Sequence, residues 1–421
     1  ATPLPEYETP SITPEINDAV GNEITVAMQP LAGLVEGEDG HDSLEALLDA
    51  YMAWIESRRD EIGTLNAKHQ RAASRHLDLC EDMLKRMQAG LARLTDDPVA
   101  RRAFQLANRA MLEQQIRQEG ELRRPEWDNR AKRLSFPGPS SGHDLLSPPA
   151  GRGFWRPFQI AFILATLCSA LDPEDDNREV VDLLFFPTGG GKTEAYLGLT
   201  ALTLYHRRLL NPNDSGTHVL MRYTLRLLTA QQFQRAASLM CAMESERQRN
   251  PEELGPEPFQ IGIWVGESTT PNSRQKARKT LRELEQRSID AVNLFVVIRC
   301  PWCRAQLGPI ETPPRSNGAP KVIGYERTEN SVKIVCPDPR CDFHEGLPVS
   351  VVDEDLYERP PAMLIATVDK FARLAWRSAP RSLFGIDGNG NRVSTPPSLI
   401  IQDELHLISG PLGSMVGLYE T

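Results

Sequence analysis

Long apolar runs are missing from this chain of 421 residues, and no stretch approaches the uninterrupted length a bilayer crossing needs. It opens Ala1-Thr2-Pro3, with neither methionine nor the basic and apolar regions of a signal peptide, so its true start is expected to lie further upstream. Cysteine is scarce too: seven are too few to form a disulfide scaffold at this length, and four of them fall in closely spaced pairs. A reducing, cytoplasmic setting with no membrane partner is the expectation. Positive charge is also short. A net charge of −10 gives no global attraction to nucleic acid, so any such partner must be met by a local basic groove. With 40% hydrophobic and 25% charged residues, the composition is that of an ordinary folded protein with room for two or three domains.

What is present centres on Phe185-Phe186-Pro187-Thr188-Gly189-Gly190-Gly191-Lys192-Thr193-Glu194. Val180–Phe186 before it is short, apolar and β-branched, which predicts a buried parallel strand. Ala195–Leu204 after it continues a helix. Successive glycines let backbone N–H groups turn towards an anion at the helix start, where the helix end is positive. Lys192 offers a mobile charge to β/γ-phosphates, and Thr193 a hydroxyl to magnesium. Thr188, Gly189, Gly190, Gly191, Lys192, Thr193 and Glu194 are therefore the candidate ATP-binding residues. The general phosphate-loop pattern wants glycine at the position of Phe186.

Residues 1–40 are rich in proline, glycine and acid, and read as an extended arm with a strand-like piece at Glu23–Val26. From Ser43 apolar residues recur at helical spacing, and segments near 72–87 and 99–118 do the same, which predicts a helical domain over 41–134. Nine basic against five acidic residues in 101–133 leave Arg123, Arg124, Arg130, Lys132 and Arg133 either to solvate a helix or to meet phosphates. Residues 135–153, with Pro137-Gly138-Pro139-Ser140-Ser141-Gly142 and Pro148-Pro149, read as a linker. Strands are expected at His218–Tyr223, Ile261–Gly266, Pro361–Thr367 and Pro397–Gln402, alternating with helices in an α/β lobe over 154–421. The basic run Ser273–Arg287 is either a solvent-facing helix or the lip of a channel.

Inside that lobe, Cys300-Pro301-Trp302-Cys303 is followed 33 residues later by Cys336-Pro337-Asp338-Pro339-Arg340-Cys341. Two such knuckles can converge four thiolates on one tetrahedral Zn²⁺, with Val322–Tyr325 and Val332–Val335 as the hairpin between them. The expected insertion is a zinc ribbon over 299–347 with a structural ion. Its second pair is more widely spaced, which leaves His344 as a competitor for Cys341. The ribbon could bind nucleic acid or a protein.

Residues 154–421 resemble the first RecA-like lobe of a superfamily 2 helicase. Thr188-Gly189-Gly190-Gly191-Lys192-Thr193 resembles its motif I, and Asp403-Glu404-Leu405-His406, ending an apolar strand, resembles motif II of the DExH class. The likeness is narrower in Phe185–Tyr196, in Arg222–Thr229 and in Gln402–Gly413, which resemble the helicase-like large subunit of the bacterial anti-phage system DISARM. A zinc-ribbon helicase of DNA repair is the neighbouring alternative. The resemblance implies Asp403 as a magnesium carboxylate, Glu404 as the group that orients and deprotonates water, and His406 as the link to the nucleic-acid side. It also implies Gln159 as an adenine reader, or else a glutamine on the wet side of a helix. Arg222, Thr224, Arg226, Gln231, Thr367, Lys370 and Arg373 would be contacts to a nucleic-acid backbone, although solvation of strand and helix ends accounts for the same residues.

By that likeness the protein hydrolyses ATP to ADP and phosphate with Mg²⁺. It binds DNA, single-stranded or with single-stranded ends, and pairs with a second DISARM subunit. A second lobe and its arginine finger are expected elsewhere on a longer polypeptide. Two other readings stand beside the motor: a P-loop switch in which ATP controls partner assembly, and a catalytically idle clamp on DNA.

Overall fold

The computed structural model describes residues 15–18, 20–118, 120–140, 144–185, 191–223, 226–286, 291–311, 321–371, 374 and 376–405, with the side chains of 226–230 outside that set. The principal helices are α1 (His41–Glu61), α2 (Ala67–Asp96), α3 (Pro98–Gln118), α4 (Pro157–Leu171), α5 (Lys192–Leu210), α6 (Arg226–Arg249), α7 (Arg274–Gln286) and α8 (Asp353–Glu358). The chain divides into two compact units, Ala1–Asp97 with Phe154–Ala195 and Pro98–Gly153 with Tyr196–Thr421, so that the division falls inside α5.

In the first unit α2 packs on α1 and α4. Asn66 caps α2 by accepting the His69 N–H, while Pro157 starts α4 with the φ a first helical turn requires. The α2–α4 crossing is close: a Cβ at Gly90 would lie 2.1 Å from the Leu164 carbonyl oxygen, so only glycine fits there. Residues near the end of the expected arm are folded rather than extended. Val26–Ala27 pairs antiparallel with Phe154–Trp155, and Val26 and Met28 are fully buried.

The strand expected before the phosphate loop is not formed. Residues 180–185 carry no strand assignment, and Val181 and Phe185 are 92% and 85% exposed. Asp182, in the middle of this stretch, is held by Arg86 of α2 through two parallel hydrogen bonds of 2.7 and 3.0 Å.

The second unit is built on five parallel strands: β1 (Val219–Tyr223), β2 (Ile261–Trp264), β3 (Val349–Ser350), β4 (Met363–Thr367) and β5 (Leu399–Gln402). Their order is β3-β2-β4-β1-β5, a RecA-like topology, with Met363 and Leu399 both in register with Val219. β2 and β4 are buried along their whole length, as continuous apolar runs between two helical faces must be. β5 is the edge, and its Ile400 is 61% exposed. Leu220, Trp264, Leu356, Leu364, Ala366 and Leu383 form a core cluster. α3 belongs to this unit and packs along α6.

Within the basic run over Ser273–Arg287, residues Arg274–Gln286 form the helix α7, which turns one face to solvent. Its Ala277, Leu281 and Leu284 are buried, and its Arg274 pairs with Asp355 and Glu358 of α8. Between β2 and β3 lies the cysteine-bearing insertion, with a short antiparallel hairpin of Tyr325–Arg327 on Val332–Ile334.

Candidate nucleotide site and metal centre

Thr188, Gly189, Gly190 and His406 lie outside the described residues, as do Thr224 and Arg373 and the side chain of Arg226. The described end of the loop is Gly191, at φ +90°, where a Cβ would come within 2.7 Å of Gln159 Nε2. A side chain there would have to displace that amide, so the loop needs glycine at this point. Gln159 itself is buried, with both ends of its amide in use. Oε1 accepts the Arg156 N–H at 2.8 Å, and Nε2 donates to the Gly191 carbonyl at 2.8 Å. The proposed base reader is thus tied directly to the phosphate loop. Lys192, Thr193 and Glu194 make the first turn of α5.

One turn further along α5, Tyr196 donates its hydroxyl to Asp403 Oδ2 at 3.0 Å. Tyr223, at the carboxyl end of β1, donates to the same oxygen at 2.7 Å. The two phenol oxygens stand 3.3 Å apart. Burial, reinforced by Tyr196 and Asp403, pushes Tyr223 far above the usual phenol range, so it remains an O–H donor. The other carboxylate oxygen, Oδ1, accepts the Glu404 N–H at 2.9 Å. Glu404 sits at φ +51°, a left-handed backbone that costs a non-glycine residue about 1–3 kcal/mol. Asp403 is therefore held at the strand tip from both of its oxygens. Open parallel sheets place their ligands off the carboxyl ends of the strands, which is where this pair projects. Neither tyrosine announced itself in the sequence, because both occupy positions that the apolar pattern assigns to the core.

The expected nucleic-acid contacts separate. Gln231 is exposed, and Arg222 is half-buried with its guanidinium 5.4 Å from the Phe371 ring centroid. Thr367 and Lys370 are 1% exposed, which contradicts their expected place on a phosphate backbone. Lys370 pairs instead with Asp353 of α8 at 2.5 Å, and its ammonium lies 5.7 Å from the Trp264 ring. Arg123 is likewise inside: it donates to Asp338 at 2.6 Å and to the backbone carbonyls of Phe136, Pro137 and Cys303.

Cys300, Cys303, Cys336 and Cys341 are all buried, with their sulfurs within 4.8 Å of one another. The sulfur separations of 4.0 Å for Cys300–Cys341 and 3.4 Å for Cys303–Cys336 bracket the tetrahedral edge of about 3.8 Å that Zn–S bonds of about 2.3 Å would give. His344 is not among the converging ligand atoms, which come from the four cysteines alone; its Nδ1 lies 2.7 Å from the Cys336 carbonyl oxygen. The residues present fit a closed, structural Zn²⁺ site. Trp302, between the first two cysteines, is clamped by Asp342 at its Nε1 and by Arg117 stacked 3.2 Å from its ring centroid.

No family model matches the chain. It is 32% identical, over 469 aligned positions, to the DISARM protein DrmA of Bacillus paralicheniformis, a match that takes in 99% of this chain. It spans only 39% of that relative's length. Over the span they share, the chain belongs to the family of the DISARM protein DrmA.

Proposed function

We infer that this chain is the nucleotide-binding portion of a DNA-dependent ATPase, a helicase or translocase-like motor of a bacterial anti-phage complex. The observation that carries the reading is the tie within α5 and β5: the helix that opens with Lys192 and Thr193 bears Tyr196, and the Tyr196 hydroxyl donates to Asp403. Kinship to DrmA supports the defence role. In this reading Mg·ATP supplies the phosphoanhydride bond and the divalent charge. Thr193 and Asp403 would hold the ion, and Lys192 would neutralise the β/γ-phosphates. Glu404 orients a water and takes its proton, and the Tyr196 and Tyr223 hydroxyls stop the Asp403 carboxylate from turning away. Gln159 senses the base. The loop residues Thr188, Gly189, Gly190 and Gly191 cradle phosphates, Glu194 supports the helix start, and His406 relays to the nucleic-acid side.

Arg222 and Gln231, with Thr224, Arg226 and Arg373, are the contacts proposed for a single strand of DNA. Zn²⁺ at the four cysteines is structural, a second DISARM subunit is the protein partner, and the setting is cytoplasmic. Residues 154–421 would be the first motor lobe with the ribbon 299–347 inserted, preceded by helices over 41–134 and a linker at 135–153.

The test is the ATPase rate of the full-length protein with its partner, measured alone and with single-stranded DNA, duplex DNA or RNA. Stimulation by DNA, lost in Glu404→Gln while Mg·ATP binding is retained, is expected. No stimulation by any of the three would replace the motor with a switch in which ATP governs assembly.

A further inference from the structure

A cleft of about 570 Å³ opens in the second unit between α3, α6 and the first cysteine knuckle. Four arginines line it, Arg117, Arg235, Arg299 and Arg304, and no carboxylate is among its described lining residues. Its walls hold donors that nothing among the described residues satisfies. Arg117 is 5% exposed, and its Nε and Nη2 are spent on Glu113, yet its Nη1 is buried without an acceptor. Arg304 Nη1 and Gln118 Nε2 are in the same condition, and the Ser238 hydroxyl, 2% exposed, has no partner either. Buried N–H groups on charged side chains are rarely left unmade, because the loss of their hydration is not otherwise repaid.

These groups are also held in place. Arg117 is stacked on Trp302. Arg304 takes a left-handed backbone at φ +64° and crosses directly over Gly120, where a Cβ would fall 1.7 Å from its Nη1. The four thiolates of a zinc site would draw some positive charge to this region, and that accounts for part of the cluster. It does not account for the two Nη1 groups, which have no sulfur, oxygen or nitrogen acceptor among the described residues.

The geometry points to this cleft as a binding site for a phosphate group, carried either on a DNA strand or on a free phosphate-bearing small molecule. A tetrahedral oxyanion supplies several acceptors at once, and planar guanidinium groups fixed at the cleft wall match it with little ordering cost. The volume admits a ligand of nucleotide size. This site goes beyond the motor reading and stands or falls without it, since none of its residues belongs to the loop at Gly191 or to Asp403.

The test uses the full chain carrying Lys192→Ala, so that phosphate affinity of the nucleotide loop is removed. Inorganic phosphate is titrated against the melting temperature at constant ionic strength, with chloride as control. A saturable rise of a few degrees is expected. Gln118→Glu places a carboxylate among the orphan donors, so it should raise the starting melting temperature and abolish the phosphate response. Arg304→Gln should abolish the response without unfolding the protein. Fluorescence anisotropy with 5′-phosphorylated and 5′-hydroxyl DNA oligomers then separates the sources. Weakening of about tenfold or more in Arg304→Gln identifies the strand, and unchanged DNA affinity with retained phosphate protection of the unsubstituted cleft identifies the small molecule. Absence of any phosphate response in Lys192→Ala overturns the site. So does a response that survives undiminished in both cleft variants.

Discussion

Removing the charge of Lys370 separates two roles that this residue type could fill. Lys370 and Asp353 are 1% and 3% exposed and are paired at 2.5 Å, so Lys370→Met takes the ammonium away from a carboxylate that stays buried. The Tyr357 hydroxyl at 3.4 Å is a weak substitute. Breaking a buried pair from one side costs roughly 3–5 kcal/mol, mostly the desolvation of the charge left behind. In a unit of this size that lowers the melting temperature by roughly 6–20 °C. Replacing both partners, Lys370→Met with Asp353→Leu, removes the buried carboxylate together with the ammonium and should recover most of the loss, to within about 2 kcal/mol of the unsubstituted chain. Scanning calorimetry of the three proteins reads this directly. A backbone contact would behave differently: Lys370→Met would then melt within about 0.5 kcal/mol of wild type and reduce the salt dependence of DNA binding by about one unit of slope. That second pattern would refute the structural role argued here.

Other outcomes follow from the same geometry. Tyr223→Phe deletes the shorter of the two hydroxyl bonds to Asp403, and kcat/KM for Mg·ATP should fall about tenfold; a change under twofold would exclude the tyrosines from the site. Metal analysis should find one zinc per chain, and Cys336→Ser should lose it together with the hydrogen-exchange protection of 299–347; full protection without zinc would contradict a structural ion. Burial, aided by Arg207, depresses His218 from 6.5 to about 4, so the fold favours the neutral imidazole. Its stability contribution, on the order of 3 kcal/mol, is complete above pH 6.5 and is lost as pH falls through about 4. His218→Gln should flatten the melting profile between those limits, and an unaltered profile would count against the assignment.

The parallel strands were legible because a strand covered on both faces is predominantly apolar, as β2 and β4 are and as β1 is apart from Arg222. Val180–Phe185 is similarly apolar on either side of Asp182 yet lies mostly at the surface, where Asp182 pairs with Arg86, 96 positions away, a partner that no local pattern contains. Lys370 was misread for a similar reason. A lysine at the first turn of a helix after a strand is ordinarily solvated, and nothing nearby in sequence marks Asp353 as its buried counter-ion. Arg123 and Asp338 are still further apart. The four cysteines were readable from spacing alone, since tetrahedral thiolate sites constrain sequence separation directly, but only the folded arrangement, in which the four sulfurs converge without His344, removes the competing ligand. Tyr196 and Tyr223 could not be singled out, because their hydroxyls matter only through a third residue brought in by β5.

The central claim is that Thr193 and Asp403 hold one magnesium ion. A double-mutant cycle on Mg²⁺-dependent ATP binding tests it most directly, with Thr193→Ala, Asp403→Asn and both together titrated calorimetrically in the full-length protein. Two ligands of one ion should be strongly non-additive, with the second substitution costing little once the first is made. Additive losses would mean that the two residues serve separate sites, and the shared pocket would have to be abandoned.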